Sequence, residues 1–136
     1  MRSWLFLLWL LGIGSAHAEW LVVVGAGSPI ESLNERQVTD IFLARTNYLD
    51  PVGRITTLEL SDEDHHYDFY HRISSKTPAQ INSYWTTLIF TGKGKPPREV
   101  SNRQQLLHEL NSDPGAIAYL NDNLPDKDFK VVATIP

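Results

Sequence analysis

The sequence contains no cysteine in its 136 residues. Without thiols the chain can form no disulfide bond, no thiolate metal site and no cysteine-based catalytic centre. It also lacks a basic surplus, because 12 lysines and arginines stand against 16 acidic residues, a net charge of −4 with neutral histidines. That balance argues against nucleic acid as a partner, since such proteins need a basic face. The sequence has no internal repeat, low-complexity tract or composition break, so we expect one domain.

The longest apolar run is confined to the first 18 residues, MRSWLFLLWLLGIGSAHA. Arg2 gives a positive start, an apolar segment follows, and Ala16-His17-Ala18 is a small-x-small cleavage site, an order typical of a secretory signal peptide. The alternative is an uncleaved anchor, but about ten apolar residues are short of the roughly 20 that span a membrane. We therefore predict cleavage after Ala18 and a periplasmic mature domain, Glu19–Pro136, with no membrane span. It loses Arg2 and carries a charge of 11 − 16 = −5.

Apolar runs and capping signals predict alternating strands and helices in the mature chain. Short β-branched runs indicate strands, and a Ser, Thr or Asn followed three residues later by Gln indicates a capping box. We predict strands over Trp20–Val24, Ile55–Leu60, Ala116–Leu120 and Phe129–Ile135, and helices capped by Asn34, Ser61, Thr77 and Ser101. This order predicts an α/β domain with a mixed sheet and helices on its faces.

One helix carries an apolar and aromatic stripe whose purpose has two interpretations. The spacing i, i+3, i+4, i+7, i+8 is typical of a helix face packed on a core. The stripe consists of Ile81, Tyr84, Trp85, Leu88 and Ile89. We predict that these side chains form core and that Trp85 is not a platform for a ligand.

The stretch FTGKGKPPREV, residues 90–100, resembles a phosphate-binding loop only at first sight. A P-loop follows a strand and ends in Gly-Lys-Ser/Thr, whereas this stretch follows a helix and contains two prolines that lack N–H donors. Gly92 is placed as the stop after the helix, and Lys93 suits the negative end of the helix dipole. The stretch is therefore predicted to be a solvated connector, with a ligand loop as the alternative.

No motif of the sequence specifies catalysis or a cofactor. The G-x-G of Gly25 to Gly27 follows a strand, but the third glycine of a dinucleotide fingerprint is replaced by Ile30. No serine nucleophile elbow is present. We predict a non-enzymatic protein with no catalytic residue and no cofactor.

The segment SDEDHHYDFYH, residues 61–71, holds three of the five histidines. On a helix, Asp64 and Asp68 lie four residues apart and His65 lies three before Asp68, so weak binding of Zn²⁺ or Cu²⁺ is one interpretation. The HExxH spacing of a specific metal helix is missing. The other interpretation is an acidic first turn that complements the helix dipole, with exposed histidines. We predict no resident metal.

Two stretches resemble the phosphate-type periplasmic substrate-binding proteins. SLNERQVTDIFLARTNYLDPVGRITTLEL, residues 32–60, is similar to their IF-x-G region, and SYWTTLIFTGKGKPPREVSNRQQLLHELNSDPGAIAYL, residues 83–120, is similar to their W…F-x-G and PGAIGY segments. Ala44 and Ala118 stand where the family usually has glycine. The resemblance is closest to short, single-domain members, and it implies a single-domain type II periplasmic-binding-protein-like fold.

The resemblance also bears on ligand binding. Full-length members hold phosphate between two lobes with an arginine and a Ser-Gly-Thr helix start, and an ungapped alignment gives Leu60 and Asp64-His65-His66 at these positions. The phosphate site is therefore expected to be degenerate, since a carboxylate near a phosphate dianion repels it. Any anion is expected at the start of the second helix, with the connector as a second wall. The candidate residues are Ser61, Asp62, Asp64, His65, Thr91, Gly92 and Lys93.

The sequence leaves three functional hypotheses. The first is a periplasmic binding module related to phosphate ABC transporter proteins, with a small anion as its ligand. The second is an accessory or sensor module that contacts a membrane transporter or another envelope protein and has no small ligand. The third is a weak metal binder that uses the Asp/His helix. A ligand at 100 times its dissociation constant would add about 2.7 kcal/mol to stability, so ligand screening by thermal shift separates the first from the other two.

Overall fold

The computed structural model describes residues 19–121 and 127–136. The predicted signal peptide, residues 1–18, lies outside the described residues. The elements are β1 (Trp20–Gly25), α1 (Glu35–Phe42), β2 (Tyr48–Leu49), β3 (Gly53–Arg54), β4 (Thr56–Leu60), α2 (Glu63–Ser74), α3 (Pro78–Phe90), β5 (Arg98–Val100), α4 (Arg103–Ser112), β6 (Ala116–Leu120) and β7 (Phe129–Ile135). None of the helices in these ranges is long and apolar enough to cross a membrane.

Five of the strands form one mixed sheet in the order β5-β4-β6-β1-β7. β4 runs parallel to β5 and β6, whereas β1 runs antiparallel to β6 and β7. β2 and β3 form a separate two-stranded hairpin. The α/β class with a mixed sheet is confirmed.

The two faces of the sheet carry separate apolar clusters. Val22 and Val24 point into the cluster that includes residues of α1, α2 and α3, while Val23 points into the cluster covered by α4. All three valines are fully buried. The apolar run of β1 is therefore continuous because helices cover both of its faces.

Two predicted helix starts are confirmed and two are shifted by one residue. Asn34 and Thr77 each form a complete capping box with the glutamine three residues later. The prediction that Ser61 caps α2 is wrong, because Asp62 is the cap and accepts a hydrogen bond from the backbone N–H of His65. Ser101 is likewise not the cap of α4, because Asn102 takes that position.

The stripe of α3 is buried at its start and exposed at its end. Ile81 and Trp85 are buried, and the Tyr84 hydroxyl donates to the Leu43 carbonyl oxygen over 2.5 Å. The prediction that Ile89 packs into the core is wrong, since it is 57% exposed, and the adjacent Phe90 is 91% exposed. The last turn of α3 therefore projects beyond the core.

The connector predicted over residues 90–100 contains a strand that the sequence pattern did not reveal. β5 is only three residues long and pairs in parallel with β4, with Leu58 opposite Arg98 and Leu60 opposite Val100. Pro96 and Pro97 come directly before this edge strand. Proline is tolerated at a sheet edge, since an N–H that faces away from the neighbouring strand is not needed there. The last three residues of the connector thus form the edge of the sheet.

The helices α1 and α3 end in the same hydrogen-bonding pattern. In α3 the residue after the cap is Gly92, with φ +68°, and the N–H of Lys93 bonds to the Leu88 carbonyl. In α1 the equivalent residue is Ala44, with φ +56°, and the N–H of Arg45 bonds to the Asp40 carbonyl. These are Schellman motifs, which favour glycine at the left-handed position. The predicted stop at Gly92 is confirmed.

Candidate functional site

At the junction between β4 and α2, where the sequence predicts an anion site, the polar side chains already contact other groups of the chain. The Ser61 hydroxyl lies 3.4 Å from both Oε2 of Glu99 and the Val100 carbonyl oxygen. The Asp62 carboxylate accepts from the His65 N–H over 3.1 Å and lies 3.4 Å from His65 Nδ1. Thus a first-turn N–H group that could donate to an anion donates instead to the carboxylate of the helix's own cap residue.

The charge around this junction is negative. Glu63 and Asp64 occupy the first turn of α2 behind the Asp62 cap. Glu59 and Glu99 lie opposite each other in the β4–β5 register, and Glu59 is two residues before Ser61. Carboxylates at this density raise the free energy of a bound dianion, although water screens those that are exposed.

The histidines and aspartates of α2 contact different partners. His65 lies beside Asp62 and its ring packs edge-on against Trp20, with centroids 5.2 Å apart. Asp68 accepts from Trp20 Nε1 over 2.7 Å and pairs with Arg72 over 2.9 Å. Among residues 19–121 and 127–136, no group of three acidic or histidine side chains could hold a metal ion. The Asp/His helix thus brings no metal-ligand set together within these ranges.

A buried polar cluster lies just below the junction and was missed in the sequence. Glu59 is 4% exposed, and its carboxylate accepts from the Tyr119 hydroxyl over 2.5 Å and contacts His66 Nδ1 over 2.8 Å. Burial, followed by the charge of Glu59, raises the pKa of the Tyr119 phenol well above its ordinary value. The sequence indicates this burial only through the alternation of side chains along TTLEL, residues 56–60. Leu58 points to one face of the sheet and Glu59 to the other, and helices cover both faces.

The connector residues lie at the opposite end of β4 from Ser61. Gly92 and Lys93 line an open cleft of about 730 Å³, whose floor is the chain from Arg54 to Thr57. Ser61 follows the carboxyl end of the same strand, and a five-residue strand is about 16 Å long. The structure therefore does not bring Ser61, Asp62, Asp64 and His65 together with Thr91, Gly92 and Lys93.

The cleft is lined by cationic side chains from four parts of the chain. We call it the basic cleft, after its charged lining residues Arg45, Arg54, Lys93, Lys95 and Arg98. Among the residues that the structure describes, none that lines the cleft is acidic. No local pattern predicts this grouping, because the five cations are distributed over 54 residues.

The similarities found between this chain and known proteins are structural. No family model matches the chain, and no curated protein matches it significantly. An ABC-type phosphate transport receptor from Vibrio cholerae superimposes with a TM-score of 0.59 at 16% identity, covering 85% of this chain and 46% of the receptor. A Clostridium perfringens structure described as a phosphate ABC transporter substrate-binding protein with bound phosphate gives 0.61 at 13% identity, covering 85% and 45%.

These similarities establish the fold. At such low identity they say nothing of individual ligand residues, and the chain spans about half the length of the solved structures it matches. The chain thus has the α/β fold, with its mixed sheet, of a part of phosphate-transporter substrate-binding proteins.

Proposed function

We propose that the chain is a non-enzymatic periplasmic binding module whose strand-to-helix junction no longer binds phosphate tightly. The fold supports the first half of this proposal, since the structural neighbours are a phosphate transport receptor and a protein described as a phosphate transporter substrate-binding protein. The observation that carries the second half is the Asp62 cap of α2. By this proposal, the chain keeps the architecture of a phosphate-binding lobe but no longer binds phosphate tightly.

The Asp62 cap opposes phosphate for two reasons. Its carboxylate uses a first-turn N–H group that would otherwise face an anion. It also places a formal negative charge within a few ångströms of the position that a phosphate would occupy. Ser61 does not compensate, because its hydroxyl already lies beside Glu99 and Val100.

The buried cluster of Glu59, His66 and Tyr119 supports a non-enzymatic module. The carboxylate of Glu59 lies within hydrogen-bond reach of both the His66 imidazole and the Tyr119 phenol, groups that many catalytic centres combine. However, Glu59 is 4% exposed and Tyr119 is 3% exposed, so no substrate reaches the carboxylate or the phenol in this conformation. We assign the cluster a structural role.

Calorimetric titration of the Glu19–Pro136 protein with inorganic phosphate tests the junction. We expect a dissociation constant no better than about 1 mM, which corresponds to roughly −4 kcal/mol. The decisive comparison is Asp62→Ser, which removes one negative charge and keeps a residue type that can cap the helix. Glu35→Ser at the first turn of α1 is the matched control. A micromolar constant in the wild-type chain would contradict the proposal. An Asp62→Ser variant that binds phosphate no better than Glu35→Ser would contradict the role given to Asp62.

Export is tested separately from ligand binding. The charged, apolar and small-x-small order of residues 1–18 supports cleavage after Ala18. Intact-mass measurement of the protein recovered from the bacterial envelope should give the mass of Glu19–Pro136. A mass that retains Met1 to Ala18 would contradict a cleaved periplasmic form.

The second candidate function, an accessory module that contacts a transporter or another envelope protein, is favoured by exposed apolar side chains. Phe90 is 91% exposed, and Ile89 and Tyr48 are each more than half exposed. Single exposed apolar residues are common, but the two adjacent large ones at the end of α3, Ile89 and Phe90, favour a contact surface. Cross-linking in the envelope, compared between the wild type and Phe90→Ser, tests this alternative.

A further inference from the structure

The basic cleft concentrates positive charge on an acidic protein. It gathers five of the twelve lysines and arginines of a chain whose net charge is −4. Arg45, at the end of α1, and Lys93, at the end of α3, each follow a Schellman motif that has already satisfied the last carbonyls of its helix. The remaining three, Arg54, Lys95 and Arg98, belong to no helix end, so the helix dipoles do not account for the whole set.

Two of the five charges are neutralised inside the protein and three are not. Arg45 pairs with Asp40 over 3.2 Å, and Arg98 makes a two-pronged pair with Glu109, at 2.6 and 3.1 Å. Arg54, Lys93 and Lys95 have no carboxylate partner within residues 19–121 and 127–136. The local charge is therefore 5 − 2 = +3, and repulsion between these cations must be offset by solvent or by a bound anion.

The cleft also has the size and walls of a ligand site. Its volume of about 730 Å³ lies within the range of small-molecule pockets. One wall is the turn after α1, the other is the Lys-Gly-Lys turn after α3, and Thr56 and Thr57 lie on the floor. At Gly94 a Cβ atom would lie 3.0 Å from both the Ala44 Cβ and a Leu88 methyl carbon, so glycine keeps the two turns close.

We propose that the basic cleft binds a multiply charged phosphate compound, such as a polyphosphate chain or a phosphate-bearing headgroup. The three uncompensated cations, two from the Lys-Gly-Lys wall and Arg54 from the floor, match an anion that carries several negative charges. The guanidinium of Arg54 can hold a phosphate through two hydrogen bonds, while the lysines act as point charges. The site does not rest on the proposed function of the junction, because it lies at the other end of β4.

The phosphate groups can come from a soluble compound or from a lipid. Phe90 and Ile89, exposed beside Lys93, would enter a lipid surface and would not contribute to binding a soluble chain. The experiment therefore has two arms. The first titrates the Glu19–Pro136 protein calorimetrically with tripolyphosphate, and the second sediments it with phosphatidylglycerol vesicles, with phosphatidylcholine vesicles for comparison.

The test variant is Lys93→Gln/Lys95→Gln, and the matched control is Arg36→Gln/Lys127→Gln, which removes the same charge from two exposed positions outside the cleft. We expect the test variant to weaken tripolyphosphate binding at least tenfold, or to abolish sedimentation with phosphatidylglycerol, and the control to change either by less than twofold. Phe90→Ser should affect only the lipid arm.

Three outcomes would overturn the proposal. They are no binding in either arm, equal losses in the test and control variants, or tripolyphosphate binding that survives in Arg54→Gln and in the lysine variant. Tighter tripolyphosphate binding in Asp62→Ser, together with unchanged binding in Lys93→Gln/Lys95→Gln, would instead locate the anion at the junction. That result would contradict the cleft and not the role given to Asp62, so the two failures are distinguishable.

Discussion

Tyr119 and Glu59 lie 60 residues apart in the chain and meet inside the fold, where the phenol donates a 2.5 Å hydrogen bond to the buried carboxylate. Glu59 is on β4 and Tyr119 is on the adjacent parallel strand β6, so the sheet itself brings the two together. A buried carboxylate needs such donors, because an unsatisfied one loses its hydration without replacement. His66 supplies a second contact from α2.

The first prediction is that Tyr119→Phe destabilises the protein by about 1–3 kcal/mol, because it removes one donor from the buried carboxylate. Tyr67→Phe is the matched control, since the Tyr67 hydroxyl bonds to Asn82 at an exposed position. That change should stay within about 0.5 kcal/mol. Urea unfolding monitored by circular dichroism measures both, and equal effects would contradict the role given to Tyr119.

A second prediction concerns alkaline pH. Burial raises the pKa of both Tyr70 and Tyr119 above their ordinary values, so the folded protein keeps protons that the unfolded chain releases near pH 10. The unfolded state then binds fewer protons, and the free energy of unfolding falls as pH rises, by about 1.4 kcal/mol per pH unit for each tyrosine. This stability is fully present below pH 10.

Urea unfolding at several pH values between 8 and 11.5 measures that slope. Tyr119→Phe should reduce the slope above pH 10 by about half, since Tyr70 still contributes. A slope unchanged by the substitution would show that Tyr119 does not keep its proton in the fold.

The third prediction is that Ala44→Gly stabilises the protein by about 1 kcal/mol. Ala44 has φ +56°, a left-handed conformation that costs a residue with a Cβ atom roughly 1–2 kcal/mol and costs glycine little. The opposite change in the equivalent turn, Gly92→Ala, should destabilise the protein by a similar amount. Thermal unfolding compares the two, and effects of the same sign would contradict the explanation from backbone conformation.

A fourth prediction separates Asp62 from Ser61. Asp62→Ala removes the cap of α2 and should lower the free energy of unfolding by about 1 kcal/mol. Ser61→Ala should change it by less than about 0.5 kcal/mol, because the Ser61 hydroxyl makes only long contacts of 3.4 Å. Chemical denaturation of both variants at pH 7 measures which of the two side chains stabilises the start of the helix.

Local signals in the sequence predicted much of the fold. The helix starts at Asn34 and Thr77 were predictable because each capping box lies within four residues. Ser61 and Asp62 are both good caps, and what selects Asp62 is a distant contact. The N–H of Ser61 bonds to the Val100 carbonyl, which extends the strand pairing through Ser61 and delays the helix by one residue.

The candidate sites were less predictable because they depend on pairing between distant segments. β5 has three residues and no apolar alternation, so only its register against β4 defines it as a strand. Arg54 and Arg98 both line the basic cleft, although the helices α2 and α3 separate them in the sequence. A glutamate at an inward-facing position of a strand indicates a buried polar contact, so part of the Glu59 cluster was predictable. The sequence does not indicate that the partner of Glu59 is Tyr119.

The position of β1 in the sheet determines the order in which the fold can form. β1 lies between β6 and β7, so the first described strand of the chain is held by the last two. Closing a loop of about 90 residues is slow compared with forming local helices. A chain shortened by removal of residues 127–136 would leave β1 with an unpaired edge of valines, which favours aggregation through that edge. Helices α1 to α4 can therefore form early, while the sheet is completed only when the end of the chain arrives.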